Sequence, residues 1–128
     1  MKAIADTGFL VAFWNRHDYH HQWARELARA INEPLLTCDA VLSETAFHLR
    51  DTAVALALVT DGLVRSAFSV AEHIARLAEL AARYVDRKPD LADLCLIRLS
   101  ELRPRYPVIT TDVADFACIA GAGVTRFL

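Results

Sequence analysis

Short apolar segments alternate along this chain with segments of helical periodicity. The apolar segments predict strands at residues 2–5, 35–37, 67–68, 107–110 and 124–127. The intervening segments predict helices over residues 9–14, 19–31, 40–49, 52–61, 70–85, 91–102 and 113–120. Strands that are apolar throughout and joined by helices are typical of a parallel sheet covered on both faces. The predicted fold class is therefore α/β.

Capping signals mark the starts of several predicted helices, including those from residues 40 and 70. Asp39 stands where an N-cap is expected for the helix from residue 40. Ser69 and Glu72 have the spacing of a capping box, in which each side chain would bond the backbone near the other. These signals predict where the two helices begin.

The size of the chain favours one domain. Its 128 residues lie near the commonest domain size, and no linker, repeat or low-complexity segment divides it. We therefore expect a single domain over residues 1–128. The apolar fraction of 55% exceeds the roughly 45–50% of ordinary soluble domains, which suggests a surface for a partner or a second copy. A formal charge of −2 gives no bulk attraction to nucleic acid.

The cysteines and the N-terminal segment bear on the compartment. Cys38, Cys95 and Cys118 are odd in number and form no paired motif, which favours a reducing environment. Asp6 interrupts the first apolar stretch, and residues 8–14 are too few to cross a membrane. We therefore expect a cytoplasmic protein with no membrane association.

Four acidic residues lie next to apolar runs, where a carboxylate is expensive to place: Asp6, Glu44, Asp93 and Asp112. An ionised carboxylate near a core is costly unless it is paired or binds a metal. Lys2 and Lys88 are the only lysines in the sequence, so neutralisation must come from arginine or from a divalent cation. Oxygen ligands of this kind favour Mg²⁺ or Mn²⁺ over zinc.

The positions of these acids suggest that they meet at one edge of the sheet. Asp6 and Asp112 follow predicted strands, and ligands of open parallel sheets bind outside the carboxyl ends of the strands. Asp90 and Asp93 are three residues apart on one helix face and are expected nearby. Each acid also has an ordinary alternative, since Asp6, Asp90 and Asp112 precede helices and an N-cap aspartate contributes about 1 kcal/mol. For Asp90 taken alone, capping is the favoured interpretation.

Four motifs, in this order, resemble those of PIN-domain nucleases. They are the opening Asp6-Thr7-Gly8-Phe9-Leu10-Val11-Ala12, Glu44 in a helix after residues 36–42, Asp90-Leu91-Ala92-Asp93 before an apolar helix, and Thr110-Thr111-Asp112-x-x-Asp115-Phe116. Each motif alone is weak, but their order and separations are fairly specific, and the resemblance covers essentially the whole chain. It implies a PIN-like three-layer α/β/α fold with a central, mainly parallel sheet of short strands.

Within that family the chain most resembles the VapC-type toxins, which are Mg²⁺-dependent ribonucleases. The resemblance implies an endoribonuclease that hydrolyses RNA phosphodiester bonds with Mg²⁺, or Mn²⁺ as a substitute. Asp6 and Asp93 would be the metal ligands, and Glu44 and Asp112 would complete the catalytic pocket. Supporting roles would fall to Asp90, Asp115, Thr7 and Thr111. The resemblance also implies a cognate antitoxin, as in a type II toxin–antitoxin pair, and a homodimer.

Two other classes of function also fit parts of the pattern. The first is a catalytically silent PIN-like module that binds RNA or protein, although all four acidic positions are filled. The second is a receiver domain or an aspartate-nucleophile phosphatase, which also has an acid after the first strand. That class needs a lysine after a later strand and a second aspartate where Gly8 stands, so the sequence argues against it.

The aromatic and basic residues give weaker signals. Five aromatic residues are predicted to face the core, namely Trp14, Tyr19, Trp23, Phe47 and Phe68. Tyr84 and Tyr106 stand beside charged residues, which makes them the better candidates for stacking on unpaired bases. The acidic motif at residues 90–93 is surrounded by basic residues that would either hold flanking phosphates or form a solvated face: Arg83, Arg87, Lys88 and Arg98.

Overall fold

The computed structural model of the chain describes residues 1–112, and four strands in this part form one parallel sheet. The strands are β1 (Ile4–Ala5), β2 (Leu35–Thr37), β3 (Val64–Ser66) and β4 (Val108–Ile109). Their order across the sheet is β3-β2-β1-β4. Ile4 lies opposite Leu36 on one side and Val108 on the other. The parallel sheet of short strands agrees with the predicted fold class.

Six α-helices connect and cover these strands within residues 1–112. They are α1 (Thr7–Trp14), α2 (His21–Ala28), α3 (Asp39–Leu49), α4 (Thr52–Thr60), α5 (Ile74–Arg83) and α6 (Leu91–Leu102). Two 3₁₀ turns, Val70–His73 and Val85–Arg87, precede α5 and α6. The result is an α/β/α arrangement, as the resemblance implied. No helix in the described part of the chain has the length and apolarity needed to span a membrane.

The sheet and the helices share one core. Ile4, Leu35 and Val108 of the sheet are almost fully buried, as are Phe9 of α1 and Leu96 of α6. Strands that are apolar on both faces require cover on both faces, which the helices supply. Each fully buried side chain of this size contributes about 1.5–3 kcal/mol, so the core fixes how the strand ends meet.

The strand order creates a switch point beside β1. The chain runs from β1 outward through β2 and β3, and then returns to place β4 on the opposite side of β1. In open parallel sheets, ligands bind in the crevice outside the carboxyl ends of the strands at such a point. The residues that follow β1 and β4 therefore line the crevice.

The third strand differs from its sequence-based prediction at residues 67–68. Gly62, with φ of 84°, ends α4, and the chain then pairs Val64 with Leu35. Tight reversal at a left-handed glycine brings the chain into the sheet three residues earlier than expected. Phe68 is buried through its side chain, which stacks on His73 with ring centroids 4.8 Å apart. Its apolar character marked core packing rather than a strand.

Several helix starts and ends also differ from the prediction. The helix expected over residues 19–31 covers His21–Ala28, because the amides of residues 29–31 bond three residues back and tighten into turns. Helix α3 includes Asp39 and has Cys38 as its N-cap. The Ser69 side chain makes no capping bond, and a 3₁₀ turn stands between it and α5. The helix predicted over 113–120 and the strand over 124–127 lie outside the described residues.

The prediction that the aromatic residues face inward was wrong for three of them. Phe9 is fully buried and Phe68 nearly so, and Trp23 packs against the core. In contrast, Tyr19 is 94% exposed, Phe47 78% and Trp14 51%. Helical periodicity identifies a side chain's face, but whether that face is covered depends on which elements pack there.

Candidate active site

Asp6 follows β1 directly, at the switch point of the sheet. Its Oδ1 accepts a hydrogen bond of 2.7 Å from the Thr7 amide, so Asp6 is the N-cap of α1. Its Oδ2 accepts a bond of 2.7 Å from the hydroxyl of Thr110, which follows β4. Burial raises the pKa of Asp6, although both hydrogen bonds oppose that rise. Capping and a place in the acidic pocket are thus compatible in one residue.

The Thr110 hydroxyl joins two of the predicted acids. It donates to Asp6 and accepts a hydrogen bond of 3.0 Å from the backbone amide of Asp112. The side chain of Thr110 is buried, whereas Asp112 is exposed at the rim. The sequence assigned the supporting role to Thr111 and missed Thr110. A hydroxyl at the buried end of an apolar strand, directly before an acid, was the available signal.

Thr7 and Thr111 lie on either side of Gly8. The Thr7 hydroxyl is buried, and among the buried side-chain oxygens of residues 1–112 only it and that of Ser100 lack a hydrogen-bond partner. A Cβ added to Gly8 would overlap the Thr111 hydroxyl, so the glycine permits the first turn of α1 to pass close to Thr111. Both threonines are therefore at the pocket.

Glu44 points from α3 toward the same pocket. Its carboxyl lies near the Thr7 hydroxyl and Asp90, although it and Thr7 form no hydrogen bond of normal geometry. Burial raises the pKa of Glu44 to about 7, and the negative charges of Asp90 and Asp6 add to that rise. The second predicted acid thus reaches the first through the packing of α3 against α1.

Asp90 and Asp93 form a reciprocal capping box at the start of α6. The Asp93 amide donates to Oδ1 of Asp90 at 2.8 Å, and the Asp90 amide donates to Oδ2 of Asp93 at 3.3 Å. Burial raises the pKa of Asp93 to about 6, with the neighbouring Asp90 charge as the next cause. The capping interpretation of Asp90 therefore has a structural basis.

Asp90 has a more central place than the sequence indicated. Its charge raises the pKa of Asp6, Glu44 and Asp93 alike. The Asp112 charge acts on Asp6 in the same direction. The structure therefore brings together all five of the predicted acids that lie in its described part. Asp115, the sixth, lies outside the described residues.

The pocket has an excess of negative charge. The ion pairs of residues 1–112 are made by Arg76 and Arg98 with Glu79 and Glu101, away from the pocket. The Arg98 expected beside the acidic motif is thus engaged elsewhere. Asp6, Glu44 and Asp93 have raised pKa values and form no ion pair within residues 1–112, which favours a cation, and oxygen donors fit Mg²⁺ or Mn²⁺. The buried, unpartnered Thr7 hydroxyl adds a further oxygen to this set.

The carboxylates are near one another but are not drawn together around one point. Within the described residues, no three His, Cys, Asp or Glu side chains are arranged to hold a metal ion as they stand. The capping box accounts for part of this arrangement, because it turns Asp93 toward the backbone of Asp90. The hydrogen bond engages only Oδ2, so the other carboxylate oxygen of Asp93 could still bind a cation.

Two buried thiols lie behind the pocket. Cys38 caps α3, Cys95 is one turn beyond the start of α6, and both are fully buried and reduced. Their mutual hydrogen bond, together with burial, raises the pKa of Cys38 above its ordinary value. The thiols therefore pack α3 against α6, the two helices that carry Glu44 and Asp93.

Comparison with known proteins gives a family and a structural relative. A family model described as the PIN domain matches residues 3–120. The crystal structure of VapC20 from Mycobacterium tuberculosis, described as a sarcin-ricin loop cleaving toxin, has a TM-score of 0.76 with this chain at 20% sequence identity. The match covers 91% of this chain and 94% of the VapC20 chain. No curated protein gives a significant sequence match. At that identity the structural likeness establishes the fold.

Proposed function

The chain belongs to the PIN-domain family, and on that premise we propose that it is a Mg²⁺-dependent endoribonuclease. Membership of the PIN-domain family supports nuclease activity in general. The observation that carries the more specific proposal is the meeting of five carboxylates at the sheet's switch point, three of which, Asp6, Glu44 and Asp93, form no ion pair within residues 1–112. Such a charge excess is expensive unless a cation is bound.

In this proposal the side chains divide the work by position. Asp6 and Asp93 hold the metal, which when bound activates water and offsets charge on the phosphoryl group. Glu44 and Asp112 complete the pocket from α3 and from the end of β4. Thr110 holds Asp6 in place through its hydroxyl. The Thr7 and Thr111 side chains would orient ligands or water.

We further infer that the chain is the toxin of a type II toxin–antitoxin pair and forms a homodimer. The fold likeness to VapC20, a toxin, supports the first point. Exposed apolar side chains support a partner surface, because Phe47 and Leu56 lie beside a groove of about 830 Å³ between α3 and α4. An antitoxin tail of apolar character would cover that groove. A cytoplasmic location would follow from this role.

One observation favours the silent-module alternative. Asp93 is committed to the capping box, so a protein that never binds metal would keep the structure as it stands. In that case the PIN-like module would contact RNA or protein without cleaving it. Metal binding separates the two proposals.

The experiment is RNA cleavage by the purified chain with Mg²⁺ or Mn²⁺, against the same reaction with a chelator. Asp93→Asn should abolish cleavage and weaken Mg²⁺ binding measured by calorimetry. Asp61→Asn, an exposed acid at the end of α4, is the matched control and should retain both. Intact RNA under every metal condition, with no metal binding, would refute the nuclease proposal.

A further inference from the structure

An exposed aromatic ring lies next to the acidic pocket. Phe47 is 78% exposed on α3, whereas Phe9 and Phe68 are buried. A ring contributes about 1.5–3 kcal/mol when it is buried, and Phe47 gains little of this within residues 1–112. Its one described ring neighbour is His48, in an edge contact at 5.6 Å. The position of Phe47 is therefore not explained by core packing.

Phe47 shares one face of α3 with Glu44. The face consists of Ala40, Ser43, Glu44 and Phe47, at relative positions 0, 3, 4 and 7. Side chains three residues apart on a helix have Cβ atoms about 5–6 Å apart. This is the scale of a single nucleotide measured from its phosphate to its base. The ring and the acid can thus contact two parts of one nucleotide.

This face forms one wall of a groove of about 660 Å³. The opposite wall is formed by Asp90 and Leu91, at the start of α6, and by Val70 of the 3₁₀ turn. Leu91 is 49% exposed, so the groove has an apolar part between two exposed apolar side chains. Glu44 and Asp90 also line it, which makes the groove continuous with the acidic pocket.

We propose that this groove, which we call the Phe47 groove, binds the base of an unpaired nucleotide, with its face stacked on the Phe47 ring. The proposal rests on the proposed nuclease function and specifies its substrate as RNA that is single-stranded at the cleavage site. A base has a flat apolar face and polar edges, and the groove offers an aromatic ring beside the Ser43 hydroxyl and acidic acceptors. A base within a duplex is covered on both faces and cannot reach the ring.

The tyrosines expected to stack on bases are less suitable. Tyr84 and Tyr106 are partly buried and pack against the core. Tyr106 also lines a small cavity with Lys2 and Pro34, at the amino ends of the strands. The acids lie at the opposite, carboxyl ends of the strands. Phe47, which the sequence placed in the core, is the exposed ring that lines a groove together with Glu44 and Asp90.

A nucleotide fits the Phe47 groove better than an apolar segment of a protein. An apolar segment would take Glu44 and Asp90 out of water without pairing them, which is costly. A nucleotide leaves its phosphate at the acidic end, where a cation, when bound, would offset the negative charge of the phosphate and of the carboxylates. The other groove beside Phe47, between α3 and α4, has no such acids from the pocket.

Binding of a fluorescein-labelled single-stranded RNA of about ten nucleotides tests the proposal, with Ca²⁺ replacing Mg²⁺ so that binding is read without cleavage. Phe47→Ala should weaken binding roughly 5- to 100-fold, on the usual scale for stacking of one base. Phe47→Leu should lose nearly as much, because it keeps apolar bulk without the ring. Phe47→Trp should bind at least as tightly as the wild type.

Ile74→Ala is the matched control, since Ile74 is 56% exposed on α5 and lies outside the Phe47 groove. It should bind RNA as the wild type does. Phe47 is exposed, so its substitution should leave the melting temperature nearly unchanged. Equal RNA binding by wild type and Phe47→Ala would overturn the proposal, as would retention of binding by Phe47→Leu. Loss of self-association or of protein partner binding without loss of RNA binding would also overturn it.

Cleavage assays keep this test separate from that of the nuclease function. Phe47→Ala should raise KM for single-stranded RNA with a smaller effect on kcat, since Phe47 is placed beside the carboxylates and not among them. Ring-dependent RNA binding by a protein that never cleaves would support the groove and refute the nuclease. Cleavage with a KM that does not depend on Phe47 would support the nuclease and refute the groove.

Discussion

The Thr110 hydroxyl donates a hydrogen bond of 2.7 Å to Oδ2 of Asp6, across the boundary between β4 and β1. The two residues are 104 positions apart in sequence, and they directly follow two neighbouring strands of the sheet. Asp6 begins α1 with its other oxygen, so the carboxylate is held at both ends. This contact fixes the orientation of the acid at the switch point.

Thr110→Val should lower both stability and metal affinity, although valine preserves the shape of the side chain. The change leaves Oδ2 of Asp6 and the Asp112 amide without the Thr110 hydroxyl. Loss of such a partner in a buried site costs about 1–3 kcal/mol, which denaturant unfolding would measure. Metal affinity and cleavage should also fall, because Asp6 loses its orientation. Thr60→Val, which removes an exposed hydroxyl bond to Ala57 on α4, should change neither measurement by much.

Gly8→Ala should reduce cleavage even though alanine is the better helix former. The new methyl group would overlap the Thr111 hydroxyl, so α1 or the end of β4 must shift. The double variant Gly8→Ala with Thr111→Ala should recover part of the lost stability, because the overlapping oxygen is gone. Failure of the second change to restore any stability would show that the two sites are not coupled.

Gly62→Ala provides a contrasting case. A Cβ at Gly62 meets nothing within 4 Å, but φ is 84°, where residues other than glycine are strained. The substitution should lower the free energy of unfolding by about 1 kcal/mol and leave cleavage per folded molecule unchanged. A loss of specific activity similar to that of Gly8→Ala would contradict the separation between the two glycines.

The metal-free protein should lose stability as the pH rises from about 4.5 through about 7. The pKa of Glu44 is raised in the folded state from 4.5 to about 7, so the folded state holds the proton more tightly than the unfolded state. The associated stability is complete below pH 4.5 and lost by about pH 7. We expect a loss of about 1–2 kcal/mol, because Glu44 is partly in water.

Asp93 should add to this loss between its ordinary pKa of 3.8 and about 6. Urea unfolding in the presence of a chelator, repeated across this pH range, measures the combined effect. Glu44→Gln should flatten the upper part of the profile, and added Mg²⁺ should raise stability most at neutral pH, where the carboxylates are ionised. A flat profile for the chelated wild type would contradict the charge excess.

Glu101→Gln should loosen the contact between α5 and α6. Glu101 accepts bonds from Arg76 of α5 and from Arg98 on its own helix, and these hold its pKa below the ordinary value. A lowered pKa means stability that is present above pH 4.5 and lost as the pH falls through the folded-state value. Substitution should cost about 1–2 kcal/mol at neutral pH. Glu79→Gln, which removes a 66% exposed partner of Arg76, should cost much less.

The sequence predicted most of the fold because its signals were local. The strands at residues 35–37 and 107–110 were apparent from apolar runs, and their observed positions agree closely. The helix from Leu91 to Leu102 has the predicted bounds, since Asp90 marks its start. The strand at Val64–Ser66 was misplaced, because its position depends on pairing with β2 and not on its own composition.

The sequence identified most of the site residues, but it did not show their relative importance. Asp6, Glu44, Asp93 and Asp112 stood out as acids beside apolar runs, and Asp90 was expected nearby in a supporting or capping role. The charge of Asp90 raises the pKa of three other carboxyls because α3 and α6 pack near the end of β1. No local sequence pattern contains this packing. Thr110 was missed for the same reason, since its partner Asp6 is distant in sequence.

By itself, the sequence determined that the chain forms a parallel α/β fold, and it identified the acids that lie beside apolar runs, most of which follow strands or begin helices. Local periodicity and the cost of placing a carboxylate beside apolar residues were enough for that. The tertiary structure decided which groups meet, and it placed Thr110 against Asp6 and Asp90 beside Glu44. It also left Phe47 in solvent, because exposure depends on which distant elements cover a helix face.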